Sequence, residues 1–188
     1  MSDHKPITHA PWIVRRDSEI FARPPFLRVS QQTVEIADGT LIEDYYQVDL
    51  RSFALCVPIL ETGKVQVIRQ YKHGPRKVCL GFPAGFLDQG EDPAACAERE
   101  LLEETGLAPA RLTGLGQFVD NGNQRGSTGH YFVGTGCRPV AAPDSGDLEE
   151  FEYLDLSVEQ VDAAIQQGEF AVIHHIAAWG LARLHLDA

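Results

Sequence analysis

Along the first fifty residues, short apolar runs alternate with polar positions. Phe26-Leu27-Arg28-Val29 and Thr33-Val34-Glu35-Ile36 are punctuated by Pro24-Pro25 and by the turn pair Asp38-Gly39. Alternation with period two marks strands that bury one face, and Asp-Gly is a favoured hairpin turn. Trp12 to Asp49 therefore reads as a small antiparallel β module with a hairpin at Asp38-Gly39. Phe53 to Ile59 and Val65 to Tyr71 are β-branched, apolar stretches parted by Glu61-Thr62-Gly63-Lys64, which predicts a second hairpin. After Asp92 the period becomes helical, with Asp92 as N-cap, Pro93 at the first helical position and Gly106 as the stop. Leu115 to Val119 and Gly129 to Val133 read as strands flanking the polar loop Asn121 to Gly126, and Phe151 to Leu156 as a further strand. Ser157-Val158-Glu159-Gln160 forms a capping box opening a helix that ends near Gly168. A last helix runs from about Ala171 to Leu184, with Ile173, Ile176, Ala177 and Leu181 on one face. There is no internal repeat.

Composition narrows the class. A chain of 188 residues with 44% apolar and 23% charged positions has the make-up of an ordinary globular protein, sized for one domain or one domain with a small appendage. Sixteen basic against 27 acidic side chains give a net charge of −11, which argues against a nucleic-acid partner because no basic face is available for a phosphate backbone. An anionic substrate would need local cations or metal ions. Cys56, Cys79, Cys96 and Cys137 are scattered in apolar contexts without CxxC spacing, so they read as reduced core thiols. Residues 1–11 lack the apolar stretch of a signal peptide or a membrane span, and the expected location is the cytoplasm.

The chemistry gathers on the helix after Asp92. At about 100° per residue, Glu100, Glu103 and Glu104 fall within one arc, with Ala94, Ala97 and Leu101 on the adjoining apolar face. Like charges at helical spacing repel, and Arg99 can pair with Glu103 at i,i+4 but cannot neutralise all three carboxylates. Hard divalent cations would complete the balance, Mg²⁺ being the usual choice where a substrate carries phosphates. A solvated acidic face is the ordinary reading of such a run. The Gly/Pro-rich segment from Gly81 to Glu91 leads straight into the helix and lets backbone carbonyls approach an ion, which favours the metal reading.

From Gly85, five residues lead to Glu91, seven more to Arg99-Glu100, then Leu101, one residue, Glu103-Glu104, one residue, Gly106 and Leu107. This is similar to the Nudix box, GX5EX7REUXEEXGU with U aliphatic, at every specified position. The resemblance implies an α/β fold, an α/β/α sandwich around a mixed sheet, and metal-dependent hydrolysis of a nucleoside diphosphate linked to another moiety. It makes Glu100 and Glu104 the principal metal ligands, with Glu103 supporting as ligand, through Arg99, or as the base. Ala84 corresponds to the residue whose carbonyl completes a metal shell, Glu91 ties the loop to the helix, and Gly85 and Gly106 serve a tight loop and a left-handed helix stop. The implied cofactor is Mg²⁺, with Mn²⁺ as the alternative.

Ile68-Arg69-Gln70-Tyr71-Lys72 followed by Phe82-Pro83-Ala84-Gly85 resembles the strand and loop of the ADP-ribose pyrophosphatase group. By that resemblance residues 1–50 form a module that builds a homodimer, 51–188 form the Nudix hydrolase domain, and the substrate is a nucleoside diphosphate sugar, ADP-ribose first. One departure bears on the sugar: the group often has Glu three residues before the loop alanine, where this chain has Gly81. Hydrolases of GDP-mannose or ADP-glucose are alternatives, and so is a domain that senses a nucleotide sugar without turnover. The group places its catalytic base on a loop before the last strand; Glu149 takes that place here, with Asp147 and Glu150 as alternates. Arg69 is a candidate for phosphate oxygens or for a structural ion pair. His174-His175 and His130-Tyr131 read as packed core residues, and Asn121 to Gly126 as a turn.

Overall fold

The computed structural model describes residues 10–144, 146 and 150–186. The fold divides into two compact units, one comprising the chain up to Arg51 with Val119–Ser127, the other Ser52–Phe118 with the chain from Thr128 onward.

In the first unit, β1 (Ile13–Arg23), β2 (Leu27–Glu35) and β3 (Leu41–Leu50) form an antiparallel meander. The hairpin expected at Asp38-Gly39 joins β2 to β3. Gly39 sits at φ +84°, where a side chain is strained, and Asp38 Oδ1 accepts the Thr40 N–H at 3.1 Å. The other edge of β3 is met by a later stretch of chain. Val48 N–H donates to Gln124 O at 3.0 Å, and Arg125 and Gly126 lie parallel to Val48 and Asp49. Among the described residues of this unit only Ser30, Val34 and Ser127 are buried, while Trp12, Ile20, Phe21, Phe26, Leu41 and Tyr46 are exposed. Its two-period pattern therefore makes strands without making an interior.

The second unit has an interior. β4 (Phe53–Leu60) is buried from Phe53 through Ile59, as a continuous apolar run requires of a strand covered on both faces. It is followed by β5 (Val65–Lys72), β6 (Lys77–Gly81), β7 (Ala84–Phe86), α1 (Pro93–Thr105), β8 (Leu107–Ala108), β9 (Arg111–Asn121) and β10 (Arg125–Pro139). The chain closes with β11 (Glu152–Leu156), α2 (Val158–Gln166) and α3 (Ile173–Leu186). β10 lies parallel to β4, with Gly129 to Val133 opposite Phe53 to Val57; β5 and β7 run antiparallel to β4, and β6 and β11 flank β5. The sheet is mixed.

The alternation of β4 sorts the core into two. Phe53, Leu55, Val57 and Ile59 pack with Val161 and Ala164 of α2 and with Ala178, Trp179 and Ala182 of α3. Ala54 and Cys56 point the other way and pack with Cys96, Ala97 and Leu101 of α1. Helices thus cover both faces, the α/β sandwich that the resemblance implied. All four cysteines are free and buried.

The helix boundaries follow the caps. Asp92 accepts from Ala94 N and Ala95 N at 2.9 and 3.2 Å, Gly106 ends α1 at φ +70°, and Ser157 and Gln160 form the reciprocal capping box of α2. Elsewhere the structure departs from the sequence reading. The segment Gly81 to Glu91 is not all loop, because Ala84 to Phe86 pair with Leu55 to Phe53; the partner strand dictates this, against a Pro/Gly-rich composition. β9 and β10 extend well beyond the expected strands and reduce the polar loop to a tight turn, with Asn121 Oδ1 accepting from Asn123 N and Gln124 N. α3 starts two residues later than expected and ends two residues later.

Candidate functional site

α1 is docked by Ala97 and Leu101, and this fixes which of its side chains face the strand β7 and the turn after it. Arg99 is the centre of the arrangement. Its Nε and Nη2 donate to the two oxygens of Glu91 at 2.9 and 3.0 Å, while Nη1 donates to Glu100 Oε1 at 2.6 Å and Glu103 Oε2 at 3.1 Å. Glu91 also accepts the Asp88 N–H at 2.9 Å, so one carboxylate ties the turn to the helix. The bond from Arg99 and then the Asp88 amide hold the Glu91 carboxyl down at about 2, and its three acidic partners raise Arg99 still further above its ordinary value.

The two remaining positions are set by backbone. The Glu100 carboxylate occupies the space where a Cβ on Gly85 would stand, so it lies pressed against the main chain of β7. Glu104 is buried, and its Oε2 accepts the Ala84 N–H at 3.1 Å, while its carbonyl accepts the Tyr153 hydroxyl at 2.7 Å. Burial, followed by the Glu104 charge, raises the Tyr153 hydroxyl above its ordinary pKa. Glu103 is the most exposed of the three carboxylates.

This donor set fits a hard divalent cation: the three carboxylates supply oxygen ligands from one helix face, and the bare Cα of Gly85 forms a cradle that any other side chain would fill. Among the described residues no three His, Cys, Asp or Glu side chains converge into a ready cage. Glu100 is turned toward Arg99, and Glu104 toward Ala84. At Ala84 the engaged group is the N–H, and not the carbonyl that the resemblance singled out. Gly85 is likewise not at a tight turn but in a strand, needed for close approach; Gly106 has the left-handed backbone expected of it.

Arg69 lies on β5 and pairs with Glu152 at 3.2 Å and Glu169 at 3.9 Å. It lines a cleft of about 520 Å³ with Gln70, Tyr71, Val78, Glu150, Phe151 and Glu152. Gln70 is buried there, and its Oε1 has no hydrogen-bond partner among the described residues. Glu149 and Asp147 lie outside the described residues. Sequence reasoning missed Tyr153, whose only signal is an aromatic in a strand that approaches the end of α1. It also missed the reach of Arg99 to Glu91, eight residues upstream, which no helical spacing reveals. His175 is buried as expected, but it is not merely packed: its Nδ1 accepts the Phe82 N–H at 3.0 Å.

The chain is similar to a methanol dehydrogenase activator of Bacillus methanolicus, 31% identical over 110 residues, covering 58% of each chain. It is also similar to an ADP-ribose pyrophosphatase of Bacillus subtilis, 26% identical over 112 residues, covering 59% of this chain and 60% of that one. The chain thus spans about six-tenths of the length of these curated relatives. A crystal structure of an ADP compounds hydrolase superposes with a TM-score of 0.74 over 93% of this chain and 96% of that chain at 21% identity, which shows a shared fold. The NUDIX domain family matches residues 50–175, a span that takes in β7 with Gly85, α1 with its carboxylates and the first turn of α3, and the chain belongs to that family.

Proposed function

We propose that the protein hydrolyses the pyrophosphate bond of a nucleoside diphosphate sugar, ADP-ribose first, releasing a nucleoside monophosphate and a sugar phosphate. The observation that carries this reading is the trio Glu100, Glu103 and Glu104 on one helix face, two of them seated on the backbone of Ala84 and Gly85. Glu100, Glu103, Glu104 and the Ala84 carbonyl would hold Mg²⁺, with Mn²⁺ as the alternative. When bound, the cation supplies charge neutralisation for the pyrophosphate and acidifies a water. Arg99 keeps Glu91 clamped and limits repulsion among the carboxylates, so the helix face does not have to splay before it is loaded. Arg69 is available to phosphate oxygens at the rim of the cleft, with Glu152 and Glu169 as its resting partners. Glu149, with Asp147 and Glu150 as alternates, accepts the proton of the attacking water at a carboxylate oxygen.

The same reading includes a cytoplasmic location, in keeping with four free, buried thiols, and a homodimer. The first unit exposes its apolar strand residues, and a second copy is the natural cover. Incubating the protein with a panel of nucleotide sugars and Mg²⁺, and identifying the monophosphate released, tests the assignment. Cleavage of ADP-ribose above the GDP and other ADP sugars is the expected result. Saturable binding of a nucleotide sugar without product would instead favour a sensor.

A further inference from the structure

We propose that His175 is a positioning residue for the carboxylate site, its Nδ1 anchoring the Phe82 N–H from the opposite face of the sheet so that the next residues present Ala84 and Gly85 to α1. The inference rests on the functional reading above. Between β6, which ends beside Ile68 of β5, and β7, which begins beside Leu55 of β4, the chain changes strand partners over Phe82 and Pro83. Neither residue lies in a ladder, yet both are buried. Their backbone groups must find partners elsewhere. Pro83 O accepts from Cys56 N at 3.0 Å, and Phe82 N–H donates to His175 Nδ1 at 3.0 Å. Two residues on, the Ala84 N–H holds Glu104. The crossing segment is thus pinned by α3 from one side of the sheet and by α1 from the other, two residues apart.

Two further observations mark the imidazole as fitted to this task. A Cβ on Gly81 would stand 3.0, 3.1 and 3.3 Å from three atoms of the His175 ring, so the bare backbone at Gly81 is what admits the ring. Phe82 closes the other side with its ring centroid 6.2 Å from that of His175, and Trp179 and Phe170 pack on Phe82 in turn. A nitrogen that accepts from a backbone N–H carries no proton itself, so the neutral ring is the tautomer protonated at Nε2. Burial, followed by the charges of Lys72 and His174, depresses its pKa to about 3, and the acceptor persists through the neutral range.

The test compares His175→Asn, whose amide oxygen can take the place of Nδ1, with His175→Phe, which keeps bulk and loses the acceptor; Gly81→Ala serves as a milder probe that crowds the ring. Three quantities are read on the full chain: the Kd for Mn²⁺ alone by calorimetry, hydrogen exchange at the Phe82 and Ala84 amides, and kcat against KM. In His175→Phe, Mn²⁺ binding should weaken about 10–100-fold, the scale of loss when a group supporting a metal ligand is removed. Exchange at Phe82 should accelerate, and kcat should fall with KM nearly unchanged. His175→Asn should recover most of each, with Gly81→Ala intermediate. A role in bulk stability alone would lower Tm in both His175 variants and leave the Mn²⁺ Kd of the folded protein unmoved. That result, or an Asn variant as damaged as the Phe variant, overturns the proposal. Should His175→Phe not fold, an unchanged Mn²⁺ Kd and unchanged Phe82 exchange in Gly81→Ala would overturn it equally. A wild type that binds Mn²⁺ and protects Phe82 but cleaves no nucleotide sugar counts against the proposed function alone.

Discussion

Gly85 carries more of the site than its lack of a side chain suggests. Because the Glu100 carboxylate fills the space of a Cβ there, Gly85→Ala must displace either the carboxylate or β7. It should cost kcat about as much as removing the carboxylate, while Tm moves little because the position lies at the sheet margin. Steady-state kinetics beside a thermal melt decides this, and an active Gly85→Ala would show that Glu100 works from another rotamer. Glu104→Gln keeps an oxygen for the Ala84 N–H and loses the charge, so the fold should hold while turnover falls by orders of magnitude. His175 makes a prediction in pH. Its pKa is depressed to about 3 in the fold against about 6.5 in the unfolded chain, so the unfolded state binds the extra proton between those values. Stability from this group is complete above about pH 6.5 and is lost progressively as the pH falls toward 3. Denaturant melts of wild type and His175→Phe across that window should show a shallower acid loss in the variant.

At the level of elements, α1 stands on its ends. Asp92 satisfies two N-terminal amides, and Asp92→Ala should cost about 0.5–2 kcal/mol, read as a shifted denaturation midpoint with an unchanged slope. Gly106→Ala should cost more, since a left-handed backbone and the nearby Ala141 carbonyl both oppose a Cβ. These caps are the part of the fold most plainly written in the sequence, because a cap is a local contract between neighbours a few residues apart. The capping box of Ser157 and Gln160 was legible for the same reason. β7 was not, since Ala84-Gly85-Phe86 become a strand only when Leu55 lies beside them. In the candidate site the spacing of Glu100, Glu103 and Glu104 was readable from helical period. The clamp of Arg99 on Glu91 and the reach of Tyr153 to Glu104 are closures over a turn and across the sheet, which no local pattern encodes.

For the whole molecule, the contrast between the two units matters most. The second unit fills both faces of β4, whereas the first has strands with scarcely any buried apolar side chain among its described residues. A pairing of two copies through the first unit should therefore appear as a dimer by light scattering at micromolar concentration. Charged substitutions at Phe21 and Leu41 should shift it toward monomer, and a fully active monomer would rule out a substrate site shared between subunits. The seam on β3 also governs the order of events during synthesis. Val48 and Asp49 receive their neighbours from Gln124, Arg125 and Gly126, some seventy-five residues later in the chain. A ribosome releases the amino-terminal meander long before it releases the strand that completes it, so the part made first cannot be the part finished first. Nascent chains arrested before residue 119 should leave Trp12 to Leu50 open to protease, and chains extended far enough for residue 127 to clear the exit tunnel should protect it.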